Sequence, residues 1–202
     1  MGNIKPIFIE QFLPEELCSF LYSYCILKYS NPKKIKMDAS TASLIGVYSD
    51  PAMETLLASS TSVIENNVGK KLWPANSFLR IYDKGSDLKS HTDRPSCEYT
   101  VALCLGGDPT DKPYSLYIGT EDKNSKYKYF DEQDNYIGLN IDYEFPMVKN
   151  NALIFQGLDV PHWREYCTHD HFITVFLHYV EQDGKFKHLK FDGREMLSLP
   201  KK

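Results

Sequence analysis

The 202-residue sequence contains no apolar run long enough to cross a membrane, and its cysteines form no Cys-x-x-Cys pair. Only five cysteines occur, an odd number, so we expect free thiols in a reducing compartment. A disulfide framework and a zinc site built from thiolates are disfavoured for the same reason. With no signal-peptide pattern at the N-terminus, the sequence predicts a soluble protein of the cytoplasm.

An excess of positive charge is also lacking. The chain has 23 Lys and Arg against 27 Asp and Glu, which gives a formal net charge of −4 at pH 7. This balance provides no electrostatic reason to expect nucleic acid or an anionic membrane as a partner. The oligomeric state is not readable from the sequence.

Aromatic residues are plentiful, with 14 Tyr, 11 Phe and 2 Trp. They pack well on pleated surfaces, so the composition favours a β-rich fold. The length suits one domain with a sizeable core. We expect residues 1–202 to form that domain, with a helical part at about 10–70, a β core at about 74–182 and a C-terminal tail at 183–202.

Two helices are predicted before the β core. The first opens at Pro14, with acidic residues following in its first turn. Its predicted core-facing stripe comprises Leu17, Phe20, Leu21, Tyr24, Cys25 and Leu27. The second helix runs from about Pro51 to Asn66, with Asp50 as its N-cap. Its predicted apolar face comprises Met53, Leu56, Leu57, Ser60, Val63 and Ile64.

The motif His91-Thr92-Asp93, followed much later by His162, carries the chemistry. Residues i and i+2 of a strand point to the same face, so His91 and Asp93 can reach one ion. Two histidines and one carboxylate form the facial triad that binds Fe(II) and leaves other positions open. The alternatives are a surface His–Asp pair and a buried histidine that caps a strand.

Several other polar residues have two interpretations. His169 and His171 are expected in a surface loop, and His178 in the core. Arg94 faces an acidic substrate group or solvent, and Asp192 is expected to pair with Arg194 within the tail. The segment 108–147 presents substrate contacts or forms ordinary hairpins, and its tyrosines are Tyr114, Tyr117, Tyr127, Tyr129, Tyr136 and Tyr143.

On these residues the chain resembles the Fe(II)- and 2-oxoglutarate-dependent dioxygenases, and within them the prolyl 4-hydroxylase branch. That branch has Tyr-x2-Gly-x2-Tyr-x2-His-x-Asp. The matching positions here are Tyr82, Gly85, Leu88, His91 and Asp93, with leucine in place of the second tyrosine. The strand-like runs 100–105 and 151–155 match two further family features. The resemblance, over roughly residues 74–182, implies an α+β, mainly β fold: a double-stranded β-helix (jelly-roll) core with the N-terminal helices packed on one sheet.

The resemblance also implies an activity. His91, Asp93 and His162 would bind Fe(II), with 2-oxoglutarate as co-substrate, O₂ as oxidant and ascorbate as an optional reductant. The expected reaction is hydroxylation, rather than halogenation, of a prolyl or other amino-acid side chain in a peptide, a protein or a small amino-acid-like molecule. The alternatives are a non-catalytic jelly-roll binding module and a cupin-like metalloenzyme that does not use 2-oxoglutarate.

One element of the family pattern is absent. The family usually has Lys or Arg nine to eleven residues past the distal histidine, where it pairs with the far carboxylate of 2-oxoglutarate. Here that window holds His171, Phe172 and Ile173. The candidate replacements are Arg80, Arg164 and His171. The candidate hydroxyl donors to the same carboxylate are Tyr82 and Thr174.

Overall fold

The computed structural model of the chain describes residues 5–29, 45–125, 128–130 and 136–199. Within these ranges the backbone forms two α-helices and eleven β-strands, along with short 3-10 segments at Pro95–Cys97 and Lys187–Gly193. The helices are α1 (Glu15–Tyr29) and α2 (Pro51–Val68). The strands are β1 (Ile7–Ile9), β2 (Ile45–Tyr48), β3 (Leu72–Tyr82), β4 (Leu88–His91), β5 (Tyr99–Asp108), β6 (Leu116–Glu121), β7 (Lys128–Phe130), β8 (Tyr136–Phe145), β9 (Ala152–Phe155), β10 (His162–Arg164) and β11 (His171–Glu181).

The strands form two sheets that face each other. The first sheet has the order β1-β9-β5-β11-β3-β2, and the second has the order β4-β10-β6-β8-β7. Every pairing is antiparallel. Side chains from both sheets share one buried cluster between them. This is the double-stranded β-helix predicted above, and β1, which follows Pro6, is an edge strand.

The two helices cover the outer face of the first sheet. Alternation along β3 sends Leu79 and Ile81 toward the helices, where they meet Leu21 of α1 and Leu57 of α2 in a second buried cluster. The first sheet is therefore buried on both faces. Its central strands accordingly read as nearly continuous apolar runs, such as 99–105. No helix of the described ranges is long and apolar enough to span a bilayer.

The predicted stripe of α1 is confirmed at Leu21 and Cys25, which are buried, and wrong at Phe20 and Leu27, which are 65% and 83% exposed. Leu17 is also exposed, and the third buried position is Cys18. Small cysteine side chains allow the helix to approach the sheet closely, and the Cys18 thiol donates to a β5 carbonyl. The predicted face of α2 is confirmed except at Val63, which is 44% exposed.

The tail is held by long-range ion pairs, so the predicted Asp192–Arg194 pair is wrong. Asp192 accepts two hydrogen bonds from Arg94, of 2.5 and 2.8 Å, although the Arg94 side chain remains 43% exposed. Arg194 donates to Glu54 of α2 at 2.6 Å. The tail therefore links the loop after Asp93 to the helical layer.

Asp50 fastens the two helices to each other. Its carboxylate accepts from the backbone N–H groups of Ala52 and Met53, which makes it the N-cap of α2 as predicted. The same group also accepts from Tyr24, at 2.9 Å, and from Lys28, at 2.7 Å. Burial raises its pKa, but the bonds from Lys28 and the tyrosine hydroxyls outweigh burial and hold the pKa of Asp50 below its usual range.

Replacing this carboxylate should destabilise the fold. We expect Asp50→Ala to lower the free energy of unfolding by about 3 kcal/mol, because it removes a cap and leaves buried donors unpaired. Asp50→Asn retains an acceptor and should lose less. Because the folded pKa is depressed, the advantage of wild type over Asp50→Asn is present at neutral pH and should shrink as the pH falls below about 3.9. Urea denaturation at several pH values measures the free energies of unfolding of both variants and their pH dependence. If Asp50→Ala lowers the free energy of unfolding by less than about 0.5 kcal/mol, Asp50 does not fasten the two helices as described.

Candidate active site

The three predicted ligands converge between the sheets. His91 ends β4 and His162 begins β10, and the antiparallel pairing sets them directly opposite each other. Their ring centroids lie 4.3 Å apart. Asp93 Oδ1 is 3.7 Å from His91 Nε2 and 3.8 Å from His162 Nε2. These three ligand atoms lie within 4.8 Å of one another, close enough to share one metal ion.

Backbone carbonyls orient both imidazole rings. His91 Nδ1 lies 2.9 Å from the carbonyl oxygen of Lys89, and His162 Nδ1 lies 3.1 Å from that of Val160. A carbonyl accepts only from a protonated nitrogen, so Nε2 of each ring carries the lone pair and faces the centre. Burial lowers the pKa of His162 to about 4, so this ring is neutral at physiological pH, the form that binds a metal.

Asp93 has one oxygen held by the protein. Its Oδ2 accepts a 2.7 Å hydrogen bond from Thr100, and its backbone N–H donates to the carbonyl of Gly157. A Cβ at Gly157 would fall 2.0 Å from Asp93 Oδ2, so only glycine permits this close approach. Thr100 in turn lies 3.2 Å from His178 Nδ1. The other oxygen, Oδ1, is directed at the two histidines.

A cavity of about 410 Å³ lies beside the triad. Its walls combine the ligands with side chains of both sheets, namely Asn76, Phe78, Arg80, Leu88, His91, Thr92, Asp93, Arg94, Cys97, His162, Phe176 and His178. This volume lies within the range of small-molecule sites, about 300–1,000 Å³. The space can therefore hold a small ligand next to a metal ion.

The inner face of the first sheet has a deep and a shallow end. Neighbouring inward-facing pairs of β3 and β11 are Tyr82 with Phe172, Arg80 with Thr174, Phe78 with Phe176, and Asn76 with His178. Tyr82, Phe172 and Thr174 are fully buried. Phe78 and Arg80 are partly exposed. The cavity lining includes the partly exposed Phe78 and Arg80, and the fully buried end at Tyr82 lies beyond that lining.

Arg164 lies at the deep end. It is only 1% exposed, and its guanidinium lies 4.8 Å from the ring of Tyr114 and 5.5 Å from the rings of Tyr82 and Phe172. Its Nη1 donates to the carbonyl of Tyr114. Phe172 lies in the window where the family pattern expects a basic residue. The cation that contacts Phe172 is Arg164, which lies on β10 of the second sheet.

The other candidate co-substrate residues are distributed differently. Tyr82 and Thr174 lie at the deep end with Arg164, whereas Arg80 lines the cavity nearer its opening. His171 is not brought to this group. Its ring hydrogen-bonds to the hydroxyl of Tyr22 on α1, at 2.6 Å, on the helical side of the sheet.

The predictions for two further histidines, His178 and His169, had different outcomes. His178 is a buried, hydrogen-bonded histidine, as predicted. His169 is fully buried and bonds to the carbonyl of Lys112, so its assignment to a surface loop is wrong. Tyr127 lies outside the described residues, as do the side chains of Tyr129 and Tyr136.

Three contributors to the site have no sequence motif that singles them out. Thr100 and Gly157 position Asp93, and Tyr114 holds Arg164. The available signals are weak: a threonine in an apolar strand, a glycine soon after the run 151–155, and one tyrosine among many. Each role depends on contacts between distant segments.

Comparison with known proteins supports the fold. No family model and no curated protein matches the sequence. Solved structures do match: a prolyl-4-hydroxylase from Pseudomonas putida is 15% identical, with 86% of this chain and 91% of that chain covered and a TM-score of 0.57. SnoK, a non-heme alpha ketoglutarate dependent carbocyclase from nogalamycin biosynthesis, is 12% identical, with 88% and 80% covered and a TM-score of 0.63. HygX from Streptomyces hygroscopicus, with nickel and 2-oxoglutarate bound, is 10% identical, with 88% and 83% covered and a TM-score of 0.58. The chain has the fold of the 2OG-Fe(II) oxygenases.

The contact between Thr100 and Asp93 predicts an effect on metal binding. We expect Thr100→Val to weaken Fe(II) binding about 10-fold, because the carboxylate loses the hydrogen bond that orients it. Thr100→Ser keeps the hydroxyl and is the matched control, with an affinity close to wild type. Anaerobic calorimetric titration measures both. Equal affinities in the valine and serine variants would show that Thr100 does not position Asp93.

Proposed function

We propose that this chain is an Fe(II)- and 2-oxoglutarate-dependent oxygenase that hydroxylates an aliphatic C–H bond of a prolyl or other amino-acid side chain. The convergence of His91, Asp93 and His162 beside a cavity carries this proposal. Two imidazole nitrogens and one carboxylate suit Fe(II) and leave positions for a chelating co-substrate and O₂. HygX, which has the same fold, binds nickel and 2-oxoglutarate, and this supports the choice of co-substrate.

The donor set fits this use. His91 and His162 would hold the metal through Nε2, and Asp93 through Oδ1. When bound, Fe(II), 2-oxoglutarate and O₂ supply the oxidising chemistry, with succinate and CO₂ as co-products and ascorbate as an optional reductant. Asp93 fills the third protein position, which favours hydroxylation over halogenation. Phe78 and Phe176 give the cavity an apolar wall that limits water around the reacting C–H bond.

The cavity suits a compact substrate group. Its volume of about 410 Å³ accommodates the co-substrate with one amino-acid side chain or a small molecule, rather than a large folded surface. A prolyl side chain in a peptide is the first choice, because one structural neighbour is a prolyl-4-hydroxylase. A free amino-acid-like molecule is the second choice, since a cavity of this volume can also enclose a small molecule.

An anaerobic titration tests the metal and co-substrate. We expect Fe(II) with 2-oxoglutarate to give the weak visible charge-transfer band of the chelate in wild type and no band in His91→Ala. His188→Ala removes an exposed histidine of the tail and is the matched control, with an unchanged band. Iron binding without a band favours a cupin-like metalloenzyme that does not use 2-oxoglutarate. Absence of metal binding favours a non-catalytic binding module.

Turnover assays test the substrate class. We expect prolyl peptides to stimulate succinate formation several-fold over the rate without substrate, with a hydroxylated peptide detected by mass spectrometry. Free proline and other free amino acids are assayed in parallel. Stimulation by free amino acids alone would reject the peptide substrate and retain the oxygenase. Stimulation by none of them, in a protein that forms the chelate, would reject the amino-acid substrate class.

A further inference from the structure

We propose that Arg164, with Tyr82 and Thr174, binds the far carboxylate of 2-oxoglutarate. The family pattern expects this basic residue on β11 of the first sheet, whereas Arg164 lies on β10 of the second sheet. This inference rests on the proposed function and identifies which of three candidate cations, Arg80, Arg164 or His171, takes the role.

Within the described ranges, Arg164 is a buried cation without a counter-charge. Nη1 donates to the carbonyl of Tyr114, but Nε and Nη2 have no hydrogen-bond partner in the described part of the chain. No carboxylate of that part lies within ion-pair distance of the guanidinium. A guanidinium buried without an anion is strongly unfavourable, so this arrangement is expected where an anionic ligand binds.

Two hydroxyl groups at the same depth are also unsatisfied. Tyr82 OH and Thr174 Oγ1 are buried and have no hydrogen-bond partner among the described residues. Tyr82 contacts the guanidinium through its ring, and Thr174 lies two residues along β11 from Phe172, whose ring makes the same contact. The compartment thus offers two N–H groups of a cation and two hydroxyls. This set of donors is complementary to a carboxylate.

The spacing along β10 matches a dicarboxylate. His162 and Arg164 are residues i and i+2 of one strand, with Cα atoms roughly 7 Å apart, and the contacts of Arg164 with Tyr82 and Phe172 show that it faces inward. Leu88, the strand partner of Arg164, lines the cavity, so the cation lies beside the cavity wall. A 2-oxo acid that chelates the metal at His162 would extend its far carboxylate toward Arg164.

The surroundings favour Arg164 over the other two cations. Three aromatic rings and one backbone carbonyl fix its planar guanidinium, so little side-chain entropy is lost when a carboxylate binds. Arg80 lines the shallower part of the cavity, 5.1 Å from the ring of Phe78. His171 bonds to Tyr22 on the helical side. Of the three cations, Arg164 is the one held against the ring of Tyr82, whereas Arg80 is the strand partner of Thr174.

The test compares two 2-oxo acids in anaerobic Fe(II) titrations. 2-Oxopentanoate has the five-carbon chain of 2-oxoglutarate but lacks its far carboxylate. We expect Arg164→Met to weaken 2-oxoglutarate binding about 10- to 100-fold. Binding of 2-oxopentanoate should change less than about twofold. Arg164→Lys, which keeps the charge without the planar fork, should be intermediate. Arg80→Met is the matched control and should retain the preference for the dicarboxylate.

Thermal unfolding gives a readout that does not depend on chemistry. Without ligand, Arg164→Met should unfold at a temperature equal to or above that of wild type, because an unpaired buried cation has been removed. 2-Oxoglutarate with metal should raise the unfolding temperature of wild type far more than that of the variant.

The outcomes separate this inference from the proposed function. If wild type and Arg164→Met bind 2-oxoglutarate equally well, the assignment of Arg164 is overturned and the oxygenase proposal stands. The same conclusion follows if Arg80→Met, rather than Arg164→Met, loses affinity for 2-oxoglutarate. Equal loss of both 2-oxo acids in folded Arg164→Met also overturns it. If wild type forms a complex with neither acid, the proposed function fails and the inference fails with it.

Discussion

The pairing of β4 with β10 is the constraint on which the site depends. It sets His91 opposite His162 although the two are far apart in the sequence, and beyond a register shift it brings Arg164 next to Leu88. A shift of one residue would turn every side chain of β10 to the other face. The candidate metal ligand and the buried cation would then leave the cavity together.

The two faces of the first sheet have different tasks. The outer face packs against α1 and α2 in a large apolar core, which provides much of the stability. The inner face lies opposite the ligands of the second sheet and carries several buried polar groups that have no hydrogen-bond partner among the described residues, including Tyr82 OH and Thr174 Oγ1. Such groups destabilise a fold unless a ligand satisfies them. The outer core and the helix link through Asp50 offset this cost.

Local features of the sequence predicted much of the architecture. The N-cap at Asp50 and the apolar runs of the central strands are short-range signals that were confirmed as structure. His91 and Asp93 do lie together, although β4 ends at His91 and Asp93 is in the following loop. Features that depend on distant partners were predicted poorly. The stripe of α1 was correct at Leu21 and Cys25 but included the exposed Phe20 and Leu27 and omitted Cys18, because small cysteines form much of its contact with the sheet. The ion pairs of Asp192 and Arg194 reach Arg94 and Glu54, which no local pattern could indicate.

The sequence by itself determined the identity and order of the candidate ligands and the mainly β character, because strand alternation and motif spacing are local properties. It also limited the candidates for the cation that pairs with the far carboxylate of 2-oxoglutarate to Arg80, Arg164 and His171. Only the tertiary structure distinguished these three, since the choice depends on which sheet face each side chain occupies and how deep it lies. Strand pairing places Arg164 in the deep aromatic compartment, Arg80 nearer the opening and His171 against α1.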